Sequence, residues 1–286
     1  MSERASEEEL SEALDDLISC SMIFRVGEFF SLHNNPMLVD RRARGNRRAA
    51  AMIQQAEKPA AIISSFPFVR AVALSGSLSK NFADESSDTD FFIITAPNRL
   101  WIARTLLHIF KKFTYLSQRQ EHYCMNYFID ETQMTIVEKN MYTAIEAATI
   151  LPMRGISLFE QFHAANTWAK TFLPNNHLRV APQAELQTNW WTKSIEKLLD
   201  NKMGNMIDNA LRRLTEKSWN AKTRKNRQTT KGFVMRLHTS KHFAKPHPEN
   251  FQQTLLERYA QSVTELMERY AVAALDPARP LEKGAK

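Results

Sequence analysis

The sequence predicts an α+β fold, in which a small mixed sheet is flanked by an N-terminal helix and hairpin and by a mostly helical C-terminal region. Short β-prone runs are concentrated in the middle of the chain, within residues 69–140. Amphipathic helical patterns precede and follow these runs. With 286 residues, of which 43% are hydrophobic, the chain is long enough to bury a sizeable core.

The N-terminal region, residues 1–40, is predicted to contain one helix and one hairpin. Residues 7–19 place three leucines and one isoleucine at helical spacing, with acidic side chains on the other face. The following stretch has two short β-prone runs around Gly27, which predicts a small hairpin. A helix followed by such a hairpin suggests a truncated winged-helix segment.

A nucleus of mixed secondary structure is predicted over residues 41–140. It opens on a basic helix that becomes apolar, with Pro59 either kinking this helix or opening a second one. "VRAVALSGS" predicts a strand that stops at Ser75-Gly76, and after a polar loop a second strand covers Phe91 to Ile94. Because the second strand is apolar on both faces, we expect it to be central in the sheet.

The rest of this nucleus is predicted to be one helix and two more strands. Pro97 opens the helix, which runs through "NRLWIARTLLHIFKKF". "HYCMNYFID" predicts a third strand, and "MTIVEKN" predicts a fourth strand joined to it by a tight connection. Helices on both sides of these strands place the protein in the α+β class.

Residues 141–276 are predicted to form a mostly helical C-terminal domain. Two amphipathic patterns stand out, of which the first predicts one long helix or two short ones. The segment between them, "FVMRLHTSKHFAKPHP", has no clear pattern, and it is able to bring Lys241 and Lys245 near a phosphate. The tail, residues 277–286, is polar and predicted to fray.

Composition and charge narrow the classes of partner. The net charge of +7 is a modest excess, but residues 192–250 carry 14 Lys or Arg against 5 Asp or Glu. Such a segment suits nucleic acid, a nucleoside triphosphate or an acidic partner, or else is a solvated helical face. No apolar run approaches a membrane span, and the acidic N-terminus resembles no signal peptide. Because Cys20 and Cys124 lack metal or redox spacing, we expect reduced thiols in a cytoplasmic protein.

The stretch "ALSGSLSKNFADESSDTDFFIIT" carries the first candidate site. A turn at Ser75, Gly76 and Ser77 leaves backbone N–H groups and two hydroxyls accessible, since glycine has no side chain to shield them. Such a concavity can cradle phosphate oxygens, and Lys80 lies close enough in sequence to add a positive charge. We therefore expect these four residues to bind phosphate.

Two aspartates follow in the same stretch. Residues i and i+2 of a strand project to one face, so Asp88 and Asp90 are predicted to converge. Two carboxylates on one face can hold one or two Mg²⁺ ions, which keep some of their waters and bind substrate phosphates. Metals placed there would stabilise charge during attack on a phosphate and departure of pyrophosphate.

These residues resemble the signature of the nucleotidyltransferase superfamily that includes DNA polymerase beta: an apolar residue, Gly-Ser, about ten residues, then Asp-x-Asp between apolar residues. The resemblance covers residues 72–130, and "SGSLSK" with "SDTDFFIIT" looks most like bacterial stand-alone nucleotidyltransferase-domain proteins. It implies that Gly76 and Ser77 bind a triphosphate and that Asp88 and Asp90 ligate the metals.

The resemblance also implies a third carboxylate, acting as general base, on a strand after the helix. The expected position is best matched by Asn126, which cannot accept a proton at neutral pH. Asp130 is expected on the same face two alternations later, and Glu138 on the next strand. Of these two, the sequence reading favours Glu138 as the base.

The function expected from this resemblance is Mg²⁺-dependent transfer of a nucleoside monophosphate, AMP from ATP first of all, to an acceptor hydroxyl, with release of pyrophosphate. A small molecule or protein is favoured over RNA as acceptor, because the basic excess is modest and no RNA module is visible. Two alternatives stay open: a non-catalytic binder of nucleotide or of a protein partner, and a nucleic-acid-binding regulator.

Overall fold

The protein has a mixed α+β fold, seen in a computed structural model that describes residues 4–114, 123–176, 189–225, 234–248 and 251–275. The helices are α1 (Glu7–Ser19), α2 (Pro36–Ser64), α3 (Gly76–Ser79), α4 (Leu100–Thr114), α5 (Met141–Thr149), α6 (Ile156–Ala165), α7 (Trp190–Leu199), α8 (Lys202–Arg224) and α9 (Phe251–Leu275), and a 3-10 helix covers Thr167–Thr171. The strands are β1 (Phe24–Val26), β2 (Phe29–Ser31), β3 (Val69–Leu74), β4 (Asp90–Thr95), β5 (Cys124–Asp130), β6 (Leu151–Arg154), β7 (Met235–Thr239) and β8 (Phe243–Pro248). The predicted fold class is confirmed.

One mixed sheet of six strands organises the molecule, with the order β6-β3-β4-β5-β8-β7. β4 and β5 are parallel, and α4 lies between them in the chain, as a parallel pair requires a long connection. The other neighbouring pairs of this sheet are antiparallel. The central position predicted for the second strand of the motif is confirmed, because β4 has neighbours on both sides.

The helix and the hairpin predicted in the N-terminal region are also confirmed, whereas the winged-helix interpretation stays a prediction. α1 begins with a capping box, in which the Ser6 hydroxyl accepts from the Glu9 N–H and the Glu9 carboxylate accepts from the Ser6 N–H. β1 and β2 form a separate antiparallel hairpin, and Gly27 supplies its turn with a φ of 62°. In α2, Pro59 lies inside one continuous helix rather than opening a second one.

Both faces of the six-stranded sheet are covered by helices. Alternate residues of β4 point to opposite sides, so Phe91 and Ile93 pack in a core with α2 and α4, whereas Phe92 and Ile94 pack in a second core with α5 and α6. All four side chains are buried. The strand is apolar on both faces because the sheet has a helical layer on each side.

The fourth strand predicted in residues 134–140 is wrong. Met134 and Ile136 are buried, which explains the alternating pattern, but this segment pairs with no described strand. The side-chain amide of Asn166 takes the partner's place: its Nδ2 donates to the Met134 carbonyl at 2.8 Å, and its Oδ1 accepts from the Ile136 N–H at 2.8 Å. The place beside β5 belongs instead to β8, whose sequence had no clear pattern.

The sheet takes strands from both sides of residue 140. β6, β7 and β8 all come from the region expected to be a helical C-terminal domain, and they join the strands of the predicted nucleus. The helices α5 to α9 make the rest of that region mostly helical. The predicted limits at residues 40, 140 and 276 stay a prediction, and the tail at 277–286 lies outside the described residues.

No helix in the described ranges is long and apolar enough to cross a membrane.

Asp208 on α8 holds the start of α4. Its Oδ1 accepts hydrogen bonds from the backbone N–H groups of Trp101, at 2.8 Å, and Ile102, at 2.9 Å. First-turn N–H groups have no partner within their own helix, so this carboxylate satisfies two of them. Only 1% of Asp208 is exposed, and burial raises the pKa of its carboxyl to about 6. The contact ties the C-terminal region to the predicted nucleus.

We expect this carboxylate to make stability depend on pH. Because its pKa is raised on folding, Asp208 binds a proton more tightly in the folded chain, and its contribution to the free energy of unfolding falls as pH rises from about 4 to about 6. The fall is on the order of 3 kcal/mol. Asp208→Asn removes this titration, so the stability of wild type relative to the variant should decline over that range in urea unfolding. A pH-independent difference would contradict the prediction.

Candidate functional site

The turn after β3 and the start of β4 are in direct contact. The Ser75 N–H donates to the Asp90 carbonyl at 2.9 Å, which closes the antiparallel pair at this end. Gly76 has a φ of 67°, a conformation that side chains disfavour. A Cβ at Gly76 would lie 2.6 Å from the Asp90 Oδ2, so only glycine leaves room for the carboxylate. The two halves of the motif therefore meet in space.

Asn126 contacts the same carboxylate from the other side. Its Nδ2 donates a hydrogen bond to the Asp90 Oδ1. On β5, Met125 pairs with Phe91 and Tyr127 pairs with Phe92, so Asn126 is an extra residue in the register. Such a bulge re-aims a side chain. Here it lets Asn126 and its neighbour Tyr127 line the same cavity.

Asp88 lies outside the strand, contrary to the expectation that both aspartates share it. β4 begins at Asp90, and Asp88 belongs to the segment before it. The alternation of exposure is nevertheless kept, because Thr89 is buried between two half-buried aspartates. Both carboxylates act electrostatically on the Cys124 thiol, so both lie near the start of β5. Together with burial they raise the pKa of that thiol to about 12.

Lys80 is the cation of the turn, and it is already paired. Its Nζ donates to the Gly76 carbonyl at 2.9 Å and forms an ion pair with the Glu146 Oε1 at 2.8 Å. Glu146 belongs to α5, so this ion pair connects the turn after β3 to the helix that covers the sheet at this point. Lys80 thus positions the turn and is largely neutralised by its partner.

A cavity of about 520 Å³ opens beside the turn. This volume falls within the range of ligand pockets in proteins. Its wall includes every residue predicted to bind phosphate, namely Ser75, Gly76, Ser77 and Lys80, and it also includes Asp90 and Asn126. Asp88 is not part of the wall.

Aromatic side chains from distant parts of the chain form a large part of the remaining wall of the cavity, beside aliphatic residues such as Ile136 and Ile150. Tyr127 lies on β5, Tyr142 on α5 and Phe251 at the start of α9. The rings of Tyr142 and Phe251 meet edge to face with centroids 6.1 Å apart. Burial raises the pKa of both tyrosine hydroxyls, so they stay protonated hydrogen-bond donors near neutral pH.

Asp130 does not reach the cavity. It is fully buried, and its carboxylate accepts from the backbone N–H groups of Asn98 and Thr132, each at 3.0 Å. Its Oδ2 also lies 2.8 Å from the His242 Nδ1. The bulge at Asn126 reverses the alternation of β5, so the expectation that Asp130 shares the face of Asn126 fails. Asp130 is a structural carboxylate.

Glu138 lies near the cavity but not in its wall. It is half-buried in the segment between β5 and α5, where its carbonyl accepts from the Thr143 hydroxyl at 2.6 Å. Its carboxylate raises the pKa of the Tyr127 hydroxyl and opposes the fall in the pKa of Lys245, so it is close to both. Of the two acids considered from sequence, Glu138 is the nearer to the candidate site.

Comparisons of the chain with models of known protein families, with curated proteins and with solved structures find no match. The functional inference therefore depends on the geometry of the cavity.

The cavity suits a magnesium ion only in company with a phosphate. No group of three or more His, Cys, Asp or Glu in the described ranges is placed to hold a metal by itself. Mg²⁺, however, is commonly bound by one or two carboxylates, waters and substrate phosphates. Asp90 supplies one such carboxylate, Asp88 stands two residues before it in the chain, and the turn of Gly76 and Ser77 contacts Asp90. The residues present thus fit a metal that arrives with its phosphate ligand.

Sequence reasoning did not find Tyr127, Tyr142, Glu146 or Phe251. Tyr142 and Glu146 stand at i and i+4 on α5, so they share one helix face. That spacing and the capping box at Asn140 were visible, but neither says which face meets the sheet. Lys245 was considered near a phosphate, and it lines the cavity, whereas Lys241 is exposed elsewhere.

Replacing Gly76 tests the contact at the centre of the site. Gly76→Ala should cost about 1–2 kcal/mol for its positive φ, and more because its Cβ meets Asp90. Gly27→Ala is the matched control, since Gly27 also has positive φ but no atom lies within 4 Å of its Cβ position. We expect urea unfolding to show the larger loss for Gly76→Ala, and the excess to disappear in the Gly76→Ala/Asp90→Ala double variant. Equal losses in the two single variants would rule out the contact.

Proposed function

We propose that this protein is a Mg²⁺-dependent nucleotidyltransferase of the polymerase-beta-like kind, with a nucleoside triphosphate as substrate. The observation that carries the proposal is the contact between the turn at Gly76 and the Asp90 carboxylate, because the turn is the proposed phosphate binder and the carboxylate the proposed metal ligand. A cavity of ligand size opens at this point. Two carboxylates near a surface turn would be unremarkable without the close approach that joins them.

Each residue has a role in the proposed reaction. The turn at Ser75, Gly76 and Ser77 would hold the triphosphate through the N–H groups of Gly76 and Ser77 and through the serine hydroxyls, because the Ser75 N–H already donates to the Asp90 carbonyl. Asp88 and Asp90 would hold one or two Mg²⁺ ions, whose chemistry is to stabilise negative charge on the transferring phosphate and the leaving pyrophosphate. The lysine of the turn, Lys80, would keep the backbone of Gly76 in place.

The transfer balances as a substitution at phosphorus. The acceptor oxygen forms a bond to the α-phosphorus, the bond from that phosphorus to the pyrophosphate oxygen breaks, and the acceptor hydroxyl loses its proton. We assign the proton to the Glu138 carboxylate, which lies close enough to Tyr127 and Lys245 of the cavity wall to act on their pKa values. ATP is the triphosphate we expect first, with AMP transferred.

The acceptor is proposed to be a hydroxyl on a small molecule or a protein. The cavity wall is rich in aromatic side chains and carries few positive charges, which suits these acceptors better than a nucleic-acid strand. A cytoplasmic site of action, where Mg²⁺ and nucleoside triphosphates are abundant, belongs to the same proposal.

A non-catalytic nucleotide binder is the second candidate. The position expected for the third carboxylate holds Asn126, and its amide donates to Asp90 instead of offering a metal another oxygen anion. A binder needs the turn and one or two carboxylates but no general base. Binding without turnover would distinguish it from the enzyme.

Removing the carboxylates tests the enzyme. Purified protein with Mg²⁺ and each of ATP, GTP, CTP and UTP should release pyrophosphate in the presence of acceptor pools of small molecules or proteins. Asp90→Ala and Asp88→Ala should each lower the rate by at least about 100-fold, as loss of a catalytic metal ligand does. Asp15→Ala, on the exposed face of α1, is the control that should leave it unchanged. Nucleotide binding without any release would favour the binder.

Asn126→Asp tests the metal site without measuring turnover. A second carboxylate beside Asp90 should repel it in the absence of metal and lower the midpoint temperature of unfolding. Added Mg²⁺ should raise that temperature more in this variant than in wild type, because binding to the folded state alone stabilises it. Asn34→Asp, in an exposed loop, is the control. The same response to Mg²⁺ in all three proteins would count against a metal at Asp90.

A further inference from the structure

Lys245 stands on the same sheet face as the predicted site. β8 pairs with β5 so that Ala244 lies opposite Phe128, and the next residue, Lys245, falls beside Tyr127. Tyr127 in turn pairs with Phe92 of β4, two residues after Asp90. Neighbouring strands are about 4.8 Å apart, and β5 lies between β4 and β8. Asp90 and Lys245 therefore lie on strands about 10 Å apart, on the same face of the sheet.

Two aromatic rings enclose this lysine. Its Nζ lies 5.5 Å from the centre of the Tyr127 ring and 5.9 Å from that of Tyr142. A cation at such distances is attracted to the ring faces, and the rings restrict where the side chain can go. The ammonium is therefore held in the cavity wall rather than extended into solvent.

The ammonium of Lys245 forms no contact ion pair with a described residue, although the carboxylates of Glu138 and Glu146 act on it electrostatically. Within the part of the chain that the structure describes, it makes no hydrogen bond or ion pair, whereas Lys80 is bound to Glu146 at 2.8 Å. Asp90 contributes the remaining charge of the cavity wall. An anion that enters the cavity therefore meets Lys245 as a cation that is not held in a contact ion pair, unlike Lys80.

Burial and the nearby carboxylates act in opposite directions on the charge of Lys245. Burial lowers the pKa of its ammonium, which is the cost of holding a cation among aromatic rings. The carboxylates of Glu138 and Glu146 act in the opposite direction and favour the charged form. A polyphosphate close to the ammonium would favour it further, so binding of an anion relieves part of the desolvation cost.

We propose that Lys245 binds the polyphosphate of the substrate at the end remote from the turn, so that the Ser75–Ser77 turn and Lys245 grip the same chain of phosphates from two sides. This inference rests on the proposed function for the identity of the ligand as a nucleoside triphosphate. In this proposal Lys245, a residue of the C-terminal region, is the cation that contacts the leaving pyrophosphate.

The rings would make this cation selective. Tyr127 and Tyr142 limit the ammonium to one position, so a phosphate group is recognised where it enters a fixed geometry and not wherever a flexible lysine can follow. Their hydroxyls stay protonated and are available as additional donors. A nucleoside without phosphates would gain little from Lys245.

The test compares binding of three probes by titration calorimetry: inorganic tripolyphosphate with Mg²⁺, ATP with Mg²⁺, and adenosine. Lys245→Met removes the charge and keeps the length of the side chain, and Lys245→Arg keeps the charge between the rings. Lys241→Met is the matched control, because Lys241 is an exposed lysine on the turn between β7 and β8.

Lys245→Met should weaken binding of tripolyphosphate and of ATP by at least about tenfold, the usual effect of losing a charged hydrogen-bond donor. Lys245→Arg should bind tripolyphosphate and ATP with affinities within about threefold of those of wild type. Lys241→Met should bind both probes as tightly as wild type does. Adenosine binding should not change. Unaltered tripolyphosphate binding in Lys245→Met, or failure of wild type to bind tripolyphosphate at all, would overturn the inference.

A second measurement uses the wild-type chain and therefore does not depend on whether the Lys245 variants fold. In the wild-type chain, acetylation of Lys245 by a small amine-reactive ester should slow when tripolyphosphate and Mg²⁺ are present, while that of Lys241 should not. Equal rates at Lys245 with and without tripolyphosphate would contradict the inference.

The outcomes separate this inference from the proposed function. Tripolyphosphate binding that depends on Lys245, without pyrophosphate release from any triphosphate, would uphold the inference and reject the enzyme. Pyrophosphate release that survives in Lys245→Met with unchanged affinity for ATP would uphold the enzyme and reject the inference. A steep loss of rate in Lys245→Arg with unchanged affinity would instead make Lys245 a proton acceptor, and would also reject its assignment as a fixed cation.

Discussion

The candidate site depends on the close approach of the Asp90 carboxylate to the backbone of Gly76. β3 and β4 are antiparallel, so the turn that ends one strand meets the residue that begins the other, and the Ser75 N–H donates to the Asp90 carbonyl. The carboxylate then occupies the space of the missing side chain. A larger residue would displace the carboxylate or the turn, and with the turn the Gly76 carbonyl that Lys80 contacts. The groups proposed to bind phosphate and those proposed to bind metal are thus coupled by one packing constraint.

Two side-chain amides make hydrogen bonds at places where the regular pairing of strands is missing or interrupted. Asn166 satisfies the backbone on both sides of Thr135, so residues that alternate like a strand are held without a neighbouring strand. Asn126 occupies a bulge and turns toward Asp90. In both places an amide offers a donor and an acceptor on one planar group, which allows it to complete local hydrogen bonding where a regular ladder is interrupted.

Charge in the cavity is sparse and asymmetric. Lys80 and Glu146 neutralise each other on one side, and Lys245 is held between tyrosine rings on the other. With aromatic walls around them, these charges interact more strongly than they would in water, since fewer solvent dipoles screen them. An anionic ligand bridging the turn and Lys245 would neutralise the charge of Lys245. A metal ion at Asp90 would neutralise the negative charge of that carboxylate.

The α+β class, the hairpin, most helices and the strands β3, β4 and β5 follow from local patterns, because apolar spacing, caps and turn residues act within a few positions of the chain. The motif at Gly76 and Asp90 was likewise visible in sequence as a phosphate and metal hypothesis. Tertiary structure decided the rest. Which strand lies beside β5, where the register of β5 slips, and which residues complete the cavity all depend on contacts between segments that are distant in the chain, as β8 is from β5. Sequence periodicity reports which residues are buried, whereas pairing partners and bulges are set by which buried surfaces fit together.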